Sequence, residues 1–538
     1  MAIYTVGKQL GQTIRGAARL RKIVAVFASH GFQNIIERVE LGRFLFKKSD
    51  QKLEHLSVAE RLRLAFEQLG PTFVKLGQLL ATRPDLVPKE VVEEFKRFHD
   101  QVQPIEFRAV ERVLNKAYGN YTKVFQEINE TPLASASIAQ VHEATLIGGH
   151  KVVIKVQRPG ITQIIENDLN ALYTIAGLLN RYIPEIRVFN PETIVDEFFS
   201  TLQLETNFII EANNIRRFRQ NFAHRPNIKI PHVFSEFSSA EVLVMEKIEG
   251  IPLSHLEGQE PAGFQPENVV KTGLRAFFQM VFEDRFFHGD LHAGNLFLLP
   301  DGRIGLIDFG VVGRLTERTR DSIADMLMGL AYEDYELFAN TLVDIAPYSE
   351  NIDPDKFAKQ LRDLIGPYFG LSFKQVNLGR LLMDSTSVAA ANGVQVPSDL
   401  MLFLKSMVTV EGMGRLIIDD FDLLQSSLEF AQDIAKTRYD PERITKDFVQ
   451  IAKDSASLAA QLPRQLKQAL RRWNNPSYAH KIRIEGFGDL KRTIETGSNL
   501  LFLSLIIGAL IVGGSMTFSS PTAAGPFGVP WVSLIQFG

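Results

Sequence analysis

The residues with the clearest chemical meaning lie in two short runs between positions 288 and 310. The first run, from His288 to Asn295, reads H-x-D-L-x-x-x-N, and the second is the triplet Asp-Phe-Gly at 308–310. Mg²⁺ prefers oxygen ligands and completes its shell with phosphate and water. An Asp and an Asn on adjoining loops can therefore hold it against a nucleotide. The spacing predicts Asn295 and Asp308 as metal ligands and Asp290 as the residue that orients or deprotonates an acceptor.

The two runs have the order and separation of the catalytic loop and the metal-binding loop of protein kinases. Each run alone is a weak signal, because Asp-Phe-Gly is common in turns and His288 or His292 could be a hydrogen-bonded packing residue. Together they favour a nucleotide–metal site over coincidence.

Lys155 is the candidate for the phosphate-binding lysine. It ends the apolar run 152–154, which is typical of the strand that carries such a lysine, although an edge-strand lysine reaching solvent would look the same. An ion pair with a glutamate would orient it, and Glu211 is the best candidate. On sequence alone Glu211 could equally be an exposed helix charge. The predicted catalytic set is Asp290, Lys155 and Glu211.

The loop before Lys155 follows the template G-x-G-x-x-G-x-V with alanine at all three glycine positions. Glycine lets a backbone bend over phosphates without a Cβ in the way, so alanine predicts a stiffer loop and an altered geometry of transfer. The predicted nucleotide-binding residues here are Ala134, Ser135, Ala136, Ser137, Ile138, Ala139 and Val141.

The elements that would position these residues change character along the chain. Helical periodicity covers 58–66, 72–82 and a segment starting near residue 88. Between 125 and 156 short β-branched runs flank a Gly148-Gly149 turn, as in a hairpin. Helical patterns at 162–182 and 191–222, a strand at 241–245 and a mostly helical remainder follow, except for a strand-loop-strand region at 296–308. This order predicts an α+β, two-lobed protein-kinase-like fold, with a small β-rich lobe and a large helical lobe.

The amino-acid composition argues against several classes of protein and excludes several kinds of site. The formal net charge of -3 argues against a nucleic-acid-binding protein, and the absence of cysteine excludes disulfides, thiolate metal sites and cysteine nucleophiles.

From Thr496 to Gly538 no residue is charged, and Leu500 to Ser520 has the length of a transmembrane helix. A buried core helix is the alternative. Small residues four apart within it could allow a homodimer. The basic stretch 464–492 predicts that the preceding body faces the cytoplasm.

The alanine loop, the run Lys75-Leu76-Gly77-Gln78, the run 211–213 and the run 288–295 together resemble the UbiB/ADCK family of atypical kinases. The resemblance extends from about residue 55 to the C-terminal apolar segment. The K-x-G-Q element is its most specific part, because ordinary kinases lack it. It implies an N-terminal helical extension that folds over the active site, with Lys75 and Gln78 beside the nucleotide in a regulatory role. Where the family has E-x-D, this chain has Glu205 followed by Thr and Asn, so Glu205 is the expected partner of Lys75.

Other expectations come from the same resemblance. Met245, Glu246 and Ile248 would form the adenine-binding hinge, and the cofactors would be ATP and Mg²⁺. The family also implies a need for the protein in making ubiquinone or a related prenyl quinone. The apolar C-terminal segment and its basic flank predict a C-terminal transmembrane helix and a location at the cytoplasmic (inner) membrane. Membrane lipids and quinone-biosynthesis enzymes or intermediates would be its partners. The family's catalytic loop commonly has proline where this chain has Leu291 and Ala293.

These patterns divide the chain into five expected segments. They are N-terminal amphipathic helices at 1–50, a helical K-x-G-Q extension at 51–115, a small lobe with inserted helices at 116–248, a large lobe at 249–490 and a membrane anchor at 498–538.

The first functional hypothesis is an ATP-hydrolysing auxiliary enzyme of quinone biosynthesis that handles lipid-like intermediates. The alternatives are a true kinase acting on a small molecule, lipid or protein, and a non-catalytic scaffold gated by nucleotide.

Overall fold

The structure is a computed structural model in which the chain divides into two compact units, residues 1–443 and 444–538. It describes residues 6–38, 55–84, 86–98, 102–183, 190–256, 265–346, 352–368 and 377–418, together with a few single positions between 421 and 432. The predicted membrane helix at 500–520 and the basic stretch before it lie outside the described residues. Among the described helices, none is both long enough and apolar enough to cross a membrane.

The small lobe is a five-stranded antiparallel sheet. Its strands are β1 (Phe125–Ile128), β2 (Ala134–Ser135), β3 (Ala139–Leu146), β4 (Lys151–Gln157) and β6 (Val242–Glu246), in the order β1-β3-β4-β6 with β2 paired to β3. The β3–β4 turn places Gly149 at φ 80°, a left-handed conformation that favours glycine, as the predicted hairpin requires. Helix α6 (Phe107–Tyr118) packs Val110 and Leu114 onto this sheet, so the small-lobe core begins before residue 116.

The large lobe is mostly helical and shares one apolar core. Its helices are α10 (Pro266–Phe278), α11 (Glu317–Ala331), α12 (Tyr335–Ile345), α13 (Pro354–Ile365), α14 (Leu378–Ala391) and α15 (Ser398–Ile417). Its strands are β5 (Ile228–Lys229), β7 (Ile251–Pro252), β8 (Phe286–His288), β9 (Leu296–Leu298), β10 (Ile304–Leu306) and β11 (Val312–Arg314). The prediction of strands only at 296–308 was incomplete, because runs of two or three residues are too short to show a period of two.

The N-terminal helices form a second core. They are α1 (Val6–Ser29), α2 (Gln33–Arg38), α3 (Val58–Leu69), α4 (Pro71–Ala81) and α5 (Lys89–Phe95). Helices α7 (Ile161–Tyr182) and α8 (Pro191–Glu205) join this core, where Phe66, Phe73 and Phe95 share an apolar cluster with Leu172 and Phe198. The packing therefore groups α1, α7 and α8 with the K-x-G-Q helices, across the sequence-based boundaries at residues 50 and 116.

A break in the predicted helix 191–222 sets the position of Glu211. The chain leaves the helix at Thr206, and the Asn207 side chain caps α9 (Phe208–Asn221) by accepting a hydrogen bond from the Ile209 amide at 3.1 Å. The new helix buries Glu211 and Phe218. Asn207 thus has a local structural role as a helix cap.

Candidate nucleotide site

The catalytic-loop run connects β8 to β9, and His288 fixes its shape. The imidazole is fully buried; its Nε2 donates to the Ile307 carbonyl (3.1 Å) and its Nδ1 accepts from the Asp290 amide (3.1 Å). Burial lowers the pKa of His288, which suits this neutral tautomer. The Ile307 amide also donates to the Asn295 carbonyl at 3.0 Å. His288 is therefore the hydrogen-bonded packing residue that the sequence left open, and it joins the loop to the strand before Asp308.

Asp308 follows β10 in a left-handed conformation, with φ 56°. Such a conformation is uncommon outside glycine and is tolerated best by Asp and Asn. Phe309 after it is fully buried, with its ring centroid 5.0 Å from that of Phe218, and its carbonyl accepts from Asn214 Nδ2 at 3.0 Å. The buried ring and the amide contact hold the backbone in place, and the half-exposed Asp308 carboxylate remains accessible to a ligand.

Lys155, Glu211 and Asp308 meet where the two lobes face each other. Lys155 Nζ lies 3.0 Å from both Glu211 carboxylate oxygens and 3.3 Å from Asp308 Oδ1. Glu211 is only 3% exposed, whereas Lys155 is 16% and Asp308 49% exposed. The ion pair that the sequence could only suggest for Glu211 is thus formed by a buried carboxylate, not by an exposed helix charge.

The charges of this triad shift one another's protonation. Burial raises the pKa of Glu211 to about 7, although Lys155 opposes the rise. Burial acts to lower the pKa of Lys155, but Asp308 and Glu211 outweigh it and raise that pKa. Lys155 in turn holds the pKa of Asp308 well below its usual range. At neutral pH the lysine is charged and Asp308 is ionised, as phosphate and metal binding require.

Asn295 and Asp290 complete the catalytic loop. Asn295 is buried, and its Nδ2 donates to the Asp290 carbonyl at 3.0 Å, which leaves its Oδ1 as the atom available to a metal. A carboxylate and an amide oxygen fit Mg²⁺, which binds few protein groups and fills its shell with phosphate and water. Within the part of the chain that the structure describes, no group of three or more His, Asp or Glu side chains could hold a metal ion.

The Asp290 carboxylate has a partner that the sequence analysis missed. Lys405 on α15 places its Nζ 3.0 Å from Asp290 Oδ1, and His292 Nε2 lies 3.9 Å from the other carboxylate oxygen. Burial acts to raise the pKa of Asp290, but Lys405 outweighs it and the pKa is lowered. No motif contains Lys405, because it reaches the loop from 115 residues away.

The alanine loop is held from both sides. Arg158 donates to the Ala136 carbonyl (2.8 Å), the Ser135 hydroxyl (2.8 Å) and the Gln103 carbonyl (2.9 Å). Ile138 is buried in the core of the N-terminal helices. The stiffness predicted from alanine alone thus has two further sources, and Arg158 is a second residue that the sequence analysis missed.

The remaining nucleotide-loop residues lie on β2, β3 and the turn between them. Ala134 pairs with Val141, the Ala136 amide donates to the Ala139 carbonyl at 2.9 Å, and Ser137 is buried. The loop is therefore a closed turn at the end of a two-stranded ladder.

The predicted hinge residues follow β6. Met245 is buried opposite Val153, and Ile248 is buried close to Gly305. The Glu246 carboxylate accepts from Lys229 Nζ (2.6 Å) and from the His232 amide (2.9 Å). Its side chain is thus engaged within the protein, and so is its amide, which donates to the His232 carbonyl at 2.8 Å.

The K-x-G-Q residues lie on α4, which packs in the N-terminal core. Lys75 Nζ is 3.0 Å from Glu205 Oε2 at the last residue of α8. Gln78 is half-buried on the same helix. Three residues after Glu205, the Phe208 ring lies 5.6 Å from Lys155 Nζ. The element is therefore linked to Lys155 through a short stretch of chain.

Comparison with known proteins gives matches along most of the chain. The family model described as the ABC1 atypical kinase-like domain matches residues 97–342. The UbiB helical domain matches 361–422, and the ABC1/UbiB kinase-like C-terminal domain matches 485–538. The first match contains the site from the alanine loop to Asp308, and the second contains Lys405.

Two curated relatives carry the name "Probable protein kinase UbiB". The protein from Marinobacter nauticus is 36% identical over 73% of this chain and 72% of its own length. The protein from Cronobacter sakazakii is 30% identical over 93% of this chain and 97% of its own length. Among solved structures, a complex of Rv3197 with erythromycin from Mycobacterium tuberculosis is 24% identical with a TM-score of 0.43, covering 67% of this chain and 95% of that chain.

Proposed function

Because the chain belongs to the ABC1/UbiB family of atypical kinase-like proteins, we propose that it binds and hydrolyses ATP with Mg²⁺ at a membrane. The activity would serve the biosynthesis of ubiquinone or a related prenyl quinone, by handling lipid-like intermediates. The single observation that carries the nucleotide part is the contact of Lys155 with both Glu211 and Asp308.

That contact supports an active site over a non-catalytic scaffold. In kinase-like folds the lysine–glutamate pair must be in place for the lysine to reach the α- and β-phosphates, and here it is formed. Asp308 and Asn295 Oδ1 would hold the metal, which supplies charge neutralisation at the phosphates. Lys155 would leave Asp308 for phosphate oxygens when the nucleotide enters, while Glu211 keeps it oriented.

The loop geometry supports ATP hydrolysis over the phosphorylation of proteins. Arg158 and the buried Ile138 hold the loop in one position, and each alanine carries a Cβ that the glycine of an ordinary protein-kinase loop lacks. Ala134→Gly or Ala136→Gly should therefore change the affinity for ATP relative to ADP. Unchanged binding of both nucleotides would contradict this account of the loop.

The quinone and membrane parts rest on the family and on the C-terminal sequence. The apolar segment 500–520 would anchor the protein, with the catalytic unit in the cytoplasm. Truncation before Ser498 should release the protein from membranes. A truncated protein that still sediments with membranes would mean that other contacts dominate.

The decisive experiment compares wild type with Asp308→Asn in two assays. Purified full-length protein in lipid vesicles should release inorganic phosphate from ATP, and the variant should not. In a deletion strain, wild type should restore the quinone and the variant should leave an intermediate to accumulate. Phosphate on a defined acceptor would favour a true kinase. ATP binding without turnover in either protein, with quinone restored by both, would favour the scaffold.

A further inference from the structure

Helix α15 reaches the catalytic loop through close packing on both sides of Lys405. A Cβ added to Gly289 would lie 2.9 Å from a methyl carbon of Leu402, and Ser406 Oγ donates to the His288 carbonyl at 3.4 Å. Positions 402, 405 and 406 share one face of the helix. The direction of Lys405 is therefore set by its neighbours on α15, and its ammonium is delivered to Asp290 Oδ1 at 3.0 Å.

We propose that Lys405 is a catalytic residue whose ammonium contacts the γ-phosphoryl group as it passes to the acceptor held by Asp290. This rests on the proposed function, because it assigns a further residue of the same site. In the step, the bond between the γ-phosphorus and the ADP oxygen breaks and a bond to the acceptor oxygen forms. The acceptor proton passes to Asp290, and the electron pair of the broken bond leaves with ADP.

The distance between Lys405 Nζ and the Asp290 carboxylate is short enough for the ammonium to contact the transferred group. A base must lie about 2.6–3.2 Å from the oxygen whose proton it takes. Since Lys405 Nζ is 3.0 Å from the same carboxylate, the acceptor oxygen would lie within about 6 Å of it. The phosphoryl oxygens of an in-line transfer fit inside that span. An ammonium has three donors, and the contact with Asp290 uses one of them. The Lys405 side chain is 32% exposed, so the others can reach a ligand.

Charge development at the phosphoryl group calls for a cation at this place. Positioned lysine, arginine and metal ions stabilise the negative charge on the transferred group. Lys155 is engaged with Glu211 and Asp308, on the side where the α- and β-phosphates would bind. His292 Nε2 is 3.9 Å from Asp290, beyond hydrogen-bond distance. Lys405 is thus the better-placed cation on the acceptor side of the site.

The alternative is that the Lys405–Asp290 pair only holds α15 against the loop. Both side chains are about one-third exposed, and ion pairs with that access to water contribute only about 0–1 kcal/mol. Apolar packing, with Leu402 against Gly289, already joins the helix to the loop. Losing a purely structural pair would therefore change stability slightly and would leave the binding of a transition-state mimic unaltered.

The test uses full-length protein in lipid vesicles and the variants Lys405→Met and Lys405→Arg. The control is Lys359→Met, the same change at an exposed lysine of α13 in the same lobe. Calorimetry measures the Kd of Mg²⁺–ADP with and without aluminium fluoride, which mimics the phosphoryl group in transfer. Rates of ATP turnover give kcat and KM for each protein. Circular dichroism checks that each variant is folded.

Lys405→Met should bind ADP with the Kd of wild type. The tightening, which is the factor by which aluminium fluoride lowers the Kd of ADP, should be smaller in Lys405→Met by roughly 100-fold or more, with a similar fall in kcat. Lys405→Arg should recover part of both, and Lys359→Met should match wild type. The proposal is overturned if Lys405→Met keeps the tightening or keeps kcat within twofold of wild type. Wild type that binds no ADP would refute the proposed function itself, whereas normal ADP binding with an unaffected Lys405→Met refutes only the role of Lys405.

Discussion

Replacing Lys155 with methionine should destabilise the protein, and the loss should grow with pH above neutrality. The cause is Glu211, a carboxylate that is 3% exposed and has both oxygens 3.0 Å from the lysine. Burial already raises the pKa of Glu211 from 4.5 to about 7 while the lysine opposes the rise. Without the lysine, that pKa should move higher still.

The magnitude follows from linkage between protonation and folding. A carboxyl with a raised pKa in the folded state stabilises the fold fully below its unfolded pKa, and this contribution is lost as pH rises through the folded pKa. In wild type the loss is complete near pH 7. In the variant it continues above pH 7 at about 1.4 kcal/mol per pH unit, which gives up to about 3 kcal/mol more by pH 9. Breaking a buried ion pair by removing one partner typically costs about 3–5 kcal/mol.

Urea unfolding followed by circular dichroism at pH 6, 7, 8 and 9 would measure this. The difference between wild type and Lys155→Met should widen above pH 7, and it should stop widening when both proteins also carry Glu211→Gln. Lys151→Met is the control, since Lys151 is on the same strand but 65% exposed beside an exposed Glu249. Its effect should stay below about 1 kcal/mol at every pH. A constant difference for Lys155→Met across pH 7–9, or one that still widens with Glu211→Gln, would refute the reasoning.

Two further variants test how the site is supported. Gly77→Ala in the K-x-G-Q element would push a Cβ into the Phe98 ring, so a loss of about 1–3 kcal/mol is expected in urea unfolding. The exposed Gly412→Ala on α15, with nothing within 4 Å, should be neutral or stabilising by up to about 1 kcal/mol; equal effects would contradict the packing argument. Arg158→Met removes three hydrogen bonds donated by a guanidinium. The backbone amides of residues 134–139 should therefore exchange their hydrogens with solvent roughly tenfold faster or more. Unchanged hydrogen exchange would mean that the loop is held by its alanines and Ile138 alone.

The amino-acid sequence was sufficient where contacts are local or belong to a fixed motif. The run 288–295 and the triplet at 308–310 lie close in the chain, and short strands bring them together, so their spacing alone predicts adjoining loops. The hairpin around Gly149 is equally local, because a two-glycine turn between β-branched runs leaves few alternatives. The family resemblance, confirmed by comparison with known proteins, follows from such motifs.

The sequence patterns were ambiguous where burial decides the role of a residue or the end of an element. Glu211 could be read as an exposed charge or as the partner of Lys155, and only the packing of α9 shows that it is 3% exposed. The break of the helix at Asn207 was not predicted, since helical periodicity continues on both sides of the cap. The two- and three-residue strands of the large lobe were missed for a similar reason, as they are too short to carry a period.

Only the tertiary structure could reveal contacts between distant parts of the chain. Lys405 meets Asp290 across 115 residues, and Arg158 meets the loop and Gln103 from the end of a strand. Neither residue belongs to a recognisable motif, because the partner of a side chain on a helix or strand depends on which surfaces pack together. That choice minimises exposed apolar area over the whole molecule, so a local window of sequence does not contain it. The sequence identifies the side chains that could bind a nucleotide, and only the fold shows that Lys405 lies beside Asp290.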